Sequence, residues 1–197
     1  MSADHNHHDH VGGHHEGHEH LDYAGAVSAY RADRDHFFLH DRRSPIPPGQ
    51  RQSFHGLPYF DVDETLVFED LRLEPYTGTE PTSFAIPTSD GGLRPAARAG
   101  TLRFVIDGIA CALTGYTFEN APEGPLFVPF LDGTSGHESY GAGRYLDLVP
   151  EDDGTYVLDF NLAYHPTCVY DSRYSCPLTP SENRLPVRIE AGERLPG

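Results

Sequence analysis

Lysine is missing from this 197-residue chain: all 14 basic residues are arginine, set against 30 acidic ones, for a formal net charge of −16. Nucleic acid is thereby excluded as a partner. Its phosphates would meet a like-charged surface, with no basic patch or RNA-binding aromatic motif to offset the repulsion. A phosphate loop of the Gly-Lys-Ser or Gly-Lys-Thr type is excluded as well, because it has no lysine to use. The carboxylate excess also suits a protein from a salty cytoplasm, so it says more about solvent than about substrate. Cysteine is scarce: three residues are too few for a disulfide scaffold, and Cys111, inside Ile109-Ala110-Cys111-Ala112-Leu113, reads as a small core residue. No apolar run reaches 18 residues, and the first residues lack a basic segment followed by an apolar one. The expectation is a cytoplasmic protein with no membrane partner.

What is present divides the chain in two. Residues 1–20 carry eight of the 13 histidines among Asp, Glu and Gly with almost no apolar side chains. Such a piece cannot bury enough surface to fold, and it reads as a disordered His-rich tail. Residues 21–197 read as one domain. Tyr23, Val27, Tyr30, Arg34 and Phe37 or Phe38 recur at helical spacing, which predicts an amphipathic helix over 21–43 that Ser44-Pro45-Ile46-Pro47-Pro48 stops. Short strands with turns then follow at 65–74, 83–88, 101–107, 109–118, 126–131, 143–149, 155–163 and 184–190. Asp107-Gly108 between two alternating runs is a two-residue hairpin signal. Many strands, one helix and no long crossover predict a mainly β (α+β) fold: an antiparallel β-barrel or sandwich with the N-terminal helix packed on it.

Reactive side chains concentrate in the last third. If Glu151–Gly154 closes a hairpin in odd-to-odd register, Tyr145, Asp147, Asp159 and Asn161 share one face, and Leu146, Leu148, Leu158 and Phe160 the other. The polar face then either meets water or lines a lumen or cleft. In the second case desolvation raises the pKa of Asp147 or Asp159 and makes one of them an acid or base. Upstream, the Gly-rich loop 132–143 would present N–H groups to an anion, with Arg144 as a fork-shaped partner; the competing reading is a surface loop tied down by Glu138. Its spacing does not match the nucleophile elbow Gly-x-Ser-x-Gly.

His165, Cys168 and Cys176 form a third group. They would suit zinc or copper, with Asp159 or Glu182 as a further ligand, although the seven-residue gap is not zinc-finger spacing. The alternatives are two packed thiols, a reversible thiol pair, or Cys168 as a nucleophile with His165 as its base. In the tail, His5, His7, His8, His10, His14, His15, His18 and His20 would chelate divalent zinc, nickel or copper loosely.

The strings Phe54-His55-Gly56-Leu57-Pro58-Tyr59-Phe60, Leu126-Phe127-Val128-Pro129-Phe130, Gly143-Arg144-Tyr145-Leu146-Asp147, Leu158-Asp159-Phe160-Asn161, Glu182-Asn183-Arg184-Leu185-Pro186 and Ala191-Gly192-Glu193 stand out for their specificity. Together they resemble the Domain of Unknown Function 1684 family of uncharacterised bacterial and archaeal proteins. The resemblance covers nearly everything after the tail and implies no reaction. Between Tyr164 and Pro166 it implies Asn rather than His, which moves any shared chemistry to Cys168, Cys176, Asp159, Asn161, Glu182 and Asn183.

The expected function is binding of a small polar or anionic ligand in a pocket built by the Gly-rich loop, the 143–163 hairpin and the Cys168–Cys176 loop. Arg144 would orient the anion, with Glu138, Tyr145, Asp147, Asn161, Tyr164 and Asn183 as further contacts. The rivals are a hydrolase or thiol enzyme in which Asp159, Cys168 and Glu182 act, and a metal-handling protein working through the tail.

Overall fold

The computed structural model describes residues 21–121 and 123–196. The histidines of segment 1–20, and the metal ligation expected of them, lie outside the described residues.

Helix α1 (Tyr23–His40) starts where the Asp22 carboxylate accepts the Gly25 N–H at 2.8 Å. It ends where the Asp41 N–H returns to the Phe37 carbonyl and the Ser44 hydroxyl donates to the Phe38 carbonyl, just before Pro45. Val27 and Phe38 are buried, and Tyr23, Tyr30 and Arg34 all hydrogen-bond into the rest of the domain. The inward face is therefore the one the spacing predicted, on a helix shorter than expected at both ends.

The strands are β1 (Val67–Leu71), β2 (Ser83–Pro87), β3 (Leu93–Ile106), β4 (Ile109–Phe118), β5 (Leu126–Phe130), β6 (Arg144–Leu148) and β7 (Tyr156–Asp159). β2 to β6 form an antiparallel meander of five strands, while β1 pairs with β7 in a separate two-stranded sheet. Asp107 (φ 50°) and Gly108 (φ 78°) make the β3–β4 turn with the two positive φ angles that a type I′ hairpin demands. β3 begins well before the expected residue 101, because Pro95 and Gly100 hide its pattern. Gly100 has a structural cause: a Cβ there would lie 2.5 Å from the Glu74 carbonyl oxygen of the segment crossing β3.

Neighbouring residues on β5 and β6 point to opposite faces, and the two faces bury different sets. One carries the main core, in which Leu102, Phe104, Leu113, Val128, Phe130, Leu146 and Leu148 meet Leu158 and Phe160. Leu185, Ile189 and Ala191 of the last segment close it. The other face carries a smaller cluster of Ile86, Ala96, Tyr116, Phe127 and Tyr145.

Three fold expectations are corrected. The five-stranded sheet is open, ending at β2 and β6, so there is no closed barrel among the described residues. Segment 155–163 is a strand only to Asp159, after which Phe160–Leu162 turns as a 3-10 helix capped by the Asp159 side chain. Segment 184–190 forms no strand; it is anchored by Leu185 N–H to the Leu131 carbonyl and by Gly133 N–H to the Val187 carbonyl. Among the described residues no helix is long and apolar enough to cross a membrane.

Candidate functional site

The lesser aromatic face of the sheet builds a cleft. Phe118 and Phe127 (ring centroids 5.2 Å apart), then Tyr145 (4.8 Å from Phe127) and Tyr164 (5.8 Å from Tyr145), form a continuous wall. A cavity of about 360 Å³ opens over it. The Arg94 guanidinium sits 3.6 Å above the Phe118 ring at one part of its lining and makes no ion pair among the described residues. Asp147 lies in the same lining and accepts the Tyr164 hydroxyl. Backbone pairing places these rings: Tyr145 and Tyr164 exchange N–H···O=C bonds of 2.9 and 3.0 Å, laying segment 164 along the free edge of β6. The Tyr145 hydroxyl then donates to the Pro177 carbonyl and pins the loop that forms the opposite lip.

Asp147 and Tyr164 also border a second cleft of about 650 Å³ that includes Tyr30, Arg34 and Asp159. Desolvation raises the Asp147 pKa against the opposing pull of the Tyr164 hydrogen bond and the Arg34 charge. The residue stands at the solvent-exposed rim, which limits that rise. Burial, and next the Asp147 charge, push the Tyr164 phenol well above its ordinary value; burial does the same to Tyr145. Both hydroxyls therefore act as protonated donors.

The expected 143–163 hairpin does not form. Glu151–Gly154 is a turn, with Gly154 N–H to the Glu151 carbonyl, but the chain beyond it leaves β6 and pairs with β1. The apolar half of the face prediction survives, since Leu146, Leu148, Leu158 and Phe160 all enter the main core. The polar half is divided, with Asp147 and Asp159 meeting only in the lining of the second cleft. Tyr145 and Asp147 line the first cleft, whereas Asp159 accepts from Tyr23 Oη at 2.8 Å and from the Asn161 N–H at 2.8 Å. Asn161 is fully buried, donating to the Asp63 carbonyl and accepting the Asp63 N–H, each at 2.8 Å. Its amide also donates to Tyr23 Oη at 2.8 Å, so it ties the start of the helix and the Asp63 backbone to the turn after β7.

Other expected site residues are consumed by the fold. Arg144 is fully buried, donating to the carbonyls of Ala191, Glu193 (3.1 Å) and Ile189 (2.7 Å), with Asp132 3.5 Å away. Its guanidinium ties down the last segment instead of facing a ligand. The Gly-rich loop spends its N–H groups internally: those of His137, Glu138 and Ser139 all converge on the Thr134 carbonyl. Glu138 pairs with Arg188 at the surface, 2.7 Å away. Glu182 takes Arg98 Nη2 at 2.7 Å and the Tyr116 hydroxyl at 2.9 Å. Burial pushes its pKa up, but its backbone, Arg98 and Tyr116 hydrogen bonds prevail and hold it below the usual value. Asn183, fully buried, bonds to the backbone of β4 and β5.

Neither the metal set nor the free His165 base expected in the cysteine loop is assembled among the described residues. Among the described residues no group of three or more His, Cys, Asp or Glu side chains is arranged to hold a metal ion. His165 Nε2 accepts the Tyr140 N–H at 3.2 Å, so its lone pair is occupied. Burial, aided by the charges of Arg144 and Arg34, pushes its pKa down to about 3. The ring is neutral, and its 3.8 Å approach to Glu193 is no ion pair. Burial also raises the Cys168 thiol, and contact with the Cys176 thiol raises it further, the reverse of what an activated nucleophile needs. Cys176 lies in the lining of the first cleft.

Two important residues escaped the sequence reading. Arg94, just after the Gly91-Gly92 turn, carried no local signal beyond its position at a strand start. Glu193 is 1% exposed, yet its carboxylate takes Arg34 Nε at 3.0 Å, the His165 N–H at 2.7 Å and the Tyr170 hydroxyl at 2.7 Å. It joins the helix, the cysteine loop and the C-terminal segment.

Residues 52–194 match the model of a protein family described as a protein of unknown function, DUF1684. The fold is similar to the solution NMR structure of an uncharacterised protein from Haloarcula marismortui, with 40% sequence identity and a TM-score of 0.64. The match covers 86% of this chain and 92% of that one. No curated protein matches the chain.

Proposed function

The chain belongs to the DUF1684 family of proteins of unknown function, and from that premise we propose that it binds a small molecule with a flat apolar body and an anionic group. The site is the aromatic-walled cleft that Arg94 and Asp147 share. One observation carries the reading: the Arg94 guanidinium carbon lies over the Phe118 ring, 3.6 Å from its centroid, in the lining of a cavity walled by aromatic rings, with no carboxylate partner among the described residues. A stacked guanidinium keeps its in-plane N–H donors free, and that fork matches a carboxylate or phosphate. The rings of Phe127, Tyr145 and Tyr164 offer the apolar surface on which a flat body would lie. Asp147 would accept a hydroxyl or amino group on the ligand, its carboxylate oriented by the Tyr164 hydroxyl. Of the residues expected to bind, Tyr145, Asp147 and Tyr164 keep that role in this reading, and Arg94 takes the place first given to Arg144.

The test uses 4-hydroxybenzoate as the probe, which presents an aryl body, a carboxylate and a phenol, with benzylamine as the charge-reversed control. NMR titration of the full chain should give saturable shifts confined to residues of the cleft. Arg94→Ala should weaken binding at least tenfold, while the thermal midpoint and far-UV circular dichroism stay unchanged. Equal binding of benzylamine, or an unchanged affinity in Arg94→Ala, would sink the reading.

A further inference from the structure

Cys168 and Cys176 sit together in sequence separation and in space without being bonded. Both are free thiols, and the Cys176 sulfur accepts the backbone N–H of Cys168 at 3.3 Å across eight residues of chain. The backbone nitrogen and the Cβ of Cys168 share one Cα. The Cys176 sulfur is therefore already placed where a side-chain rotation of Cys168, needing no strand movement, brings the two sulfurs toward bonding distance. The Thr167 hydroxyl, 3.3 Å from the same sulfur, is its other polar neighbour. Cys176 is only 5% exposed, whereas Cys168 is half-buried and open to a small reagent. Cys176 is held from behind by two backbone contacts to one turn: its N–H donates to Ser89 Oγ at 3.0 Å, and its carbonyl accepts the Ser89 N–H at 2.8 Å. Between the two cysteines Tyr170 is anchored by its hydroxyl to Glu193 and by its ring, 4.8 Å from Phe38. The loop is thus fixed at its centre and at its far end, which keeps the sulfurs from drifting apart.

We infer that Cys168 and Cys176 form a redox-modification site that a small-molecule disulfide converts to an intrachain disulfide. Cys168, as thiolate, attacks one sulfur of the reagent R–S–S–R and expels R–S⁻. Cys176, deprotonated in turn, attacks the Cys168 sulfur of the mixed disulfide and expels the second R–S⁻. The two protein thiols lose two electrons and two protons, and the reagent leaves as two R–SH molecules. The order follows exposure: the accessible sulfur meets the reagent, and the buried one resolves the adduct. Because Cys176 and Pro177 line the aromatic cleft, the bond would stiffen that lip. The thiol pair stands on its own geometry, whether or not the cleft holds a ligand.

The reduced full-length protein would be equilibrated in graded mixtures of oxidised and reduced glutathione, quenched in acid, alkylated and mapped by mass spectrometry. The expected product is lighter by two hydrogens, with Cys168 and Cys176 both protected and Cys111 alkylated after denaturation, and it reverts fully with dithiothreitol. In Cys176→Ser the reaction should stop at a stable glutathione adduct on Cys168. If that variant fails to fold, mapping of the wild-type protein alone decides. Two alkylatable thiols at 168 and 176 after equilibration in oxidised glutathione, or wild-type protein that accumulates the Cys168 adduct without bridging, overturns the inference.

Discussion

The side-chain amide of Asn183 grips the backbone of Thr114 at both of its polar groups, accepting the N–H and donating to the carbonyl, each at 2.8 Å. A further bond from its Nδ2 reaches the Pro129 carbonyl at 2.7 Å. β4 and β5 are paired at Tyr116 and Phe127, and beyond that pair the amide stands between them as a one-residue strand surrogate. Only a carboxamide can donate and accept in this way.

Asn183→Asp should therefore destabilise the protein by at least about 3 kcal/mol at neutral pH, since a carboxylate cannot donate to two buried carbonyls. The loss should shrink in acid, where the protonated carboxyl regains a donor. Urea denaturation of both proteins at two pH values checks this; an unchanged midpoint at neutral pH would contradict the surrogate role.

Removing the charge at Glu193 leaves a guanidinium without its partner inside the fold. Glu193→Gln is expected to lose about 3 kcal/mol, the low end for breaking a buried pair, because the Arg34 side chain keeps 22% of its surface in solvent. Arg34→Met combined with Glu193→Gln should recover part of that loss. A double-mutant cycle by chemical denaturation measures the coupling, and strict additivity of the two changes would argue that the pair contributes nothing.

His165 should make stability fall in acid. Its folded-state pKa, about 3, lies below the ordinary 6.5, so the unfolded chain takes up the proton first. The contribution is fully present above about pH 6.5 and is lost as pH falls toward 3, with a limiting slope of about 1.4 kcal/mol per pH unit. The difference in unfolding free energy between wild type and His165→Gln, followed from pH 7 to 4, isolates that slope from the carboxylates that titrate alongside it. A difference that does not vary with pH would rule it out.

Asp147 should titrate above an ordinary aspartate, by burial, and Tyr164→Phe should raise it further by deleting a hydrogen bond to the ionised form. The sign for stability follows. A carboxyl whose folded pKa is raised favours the fold below its unfolded pKa, and that contribution is lost as pH rises through the folded one. Carbon-13 NMR titration of the carboxyl in both proteins reads the shift directly; a lower value in Tyr164→Phe is the contrary outcome.

Added salt should raise the thermal midpoint. At a net charge of −16 the folded chain repels itself, and ions screen that repulsion within a Debye length of about 8 Å at physiological ionic strength. Melting in graded sodium chloride, with sucrose as the uncharged control, should show a rise steepest at low salt. A flat response would mean that the surface carboxylates are already neutralised by their neighbours.

The elements were legible where the signal was local. Alternation marked most strands, Asp107-Gly108 announced its hairpin, and the spacing from Tyr23 to Phe38 identified the buried face of the helix. The family, too, could be recognised from short strings. The candidate cleft was legible only in part: Tyr145, Asp147, Tyr164 and Cys176 do share its lining, whereas Arg144, Asn161 and Asn183, expected as ligand contacts, bond to buried backbone carbonyls. Their chemistry is the same whether a polar group meets a ligand or a buried carbonyl, so residue type alone could not tell the two apart.

From composition and periodicity alone follow the mainly β character, the position of the helix, and the segregation of Leu146, Leu148, Leu158 and Phe160 into a core. Those properties depend on single residues and near neighbours. Tertiary structure decided that the chain after Gly154 abandons β6 for β1, so that Val67 faces Asp159 and the sheet stays open. It also decided that Arg144 anchors Ile189 and Ala191 while Arg94 is left over an aromatic ring. Strand partnership and the burial of a charge are settled by contacts between residues far apart in the chain, and no local pattern encodes which distant carbonyl will be waiting.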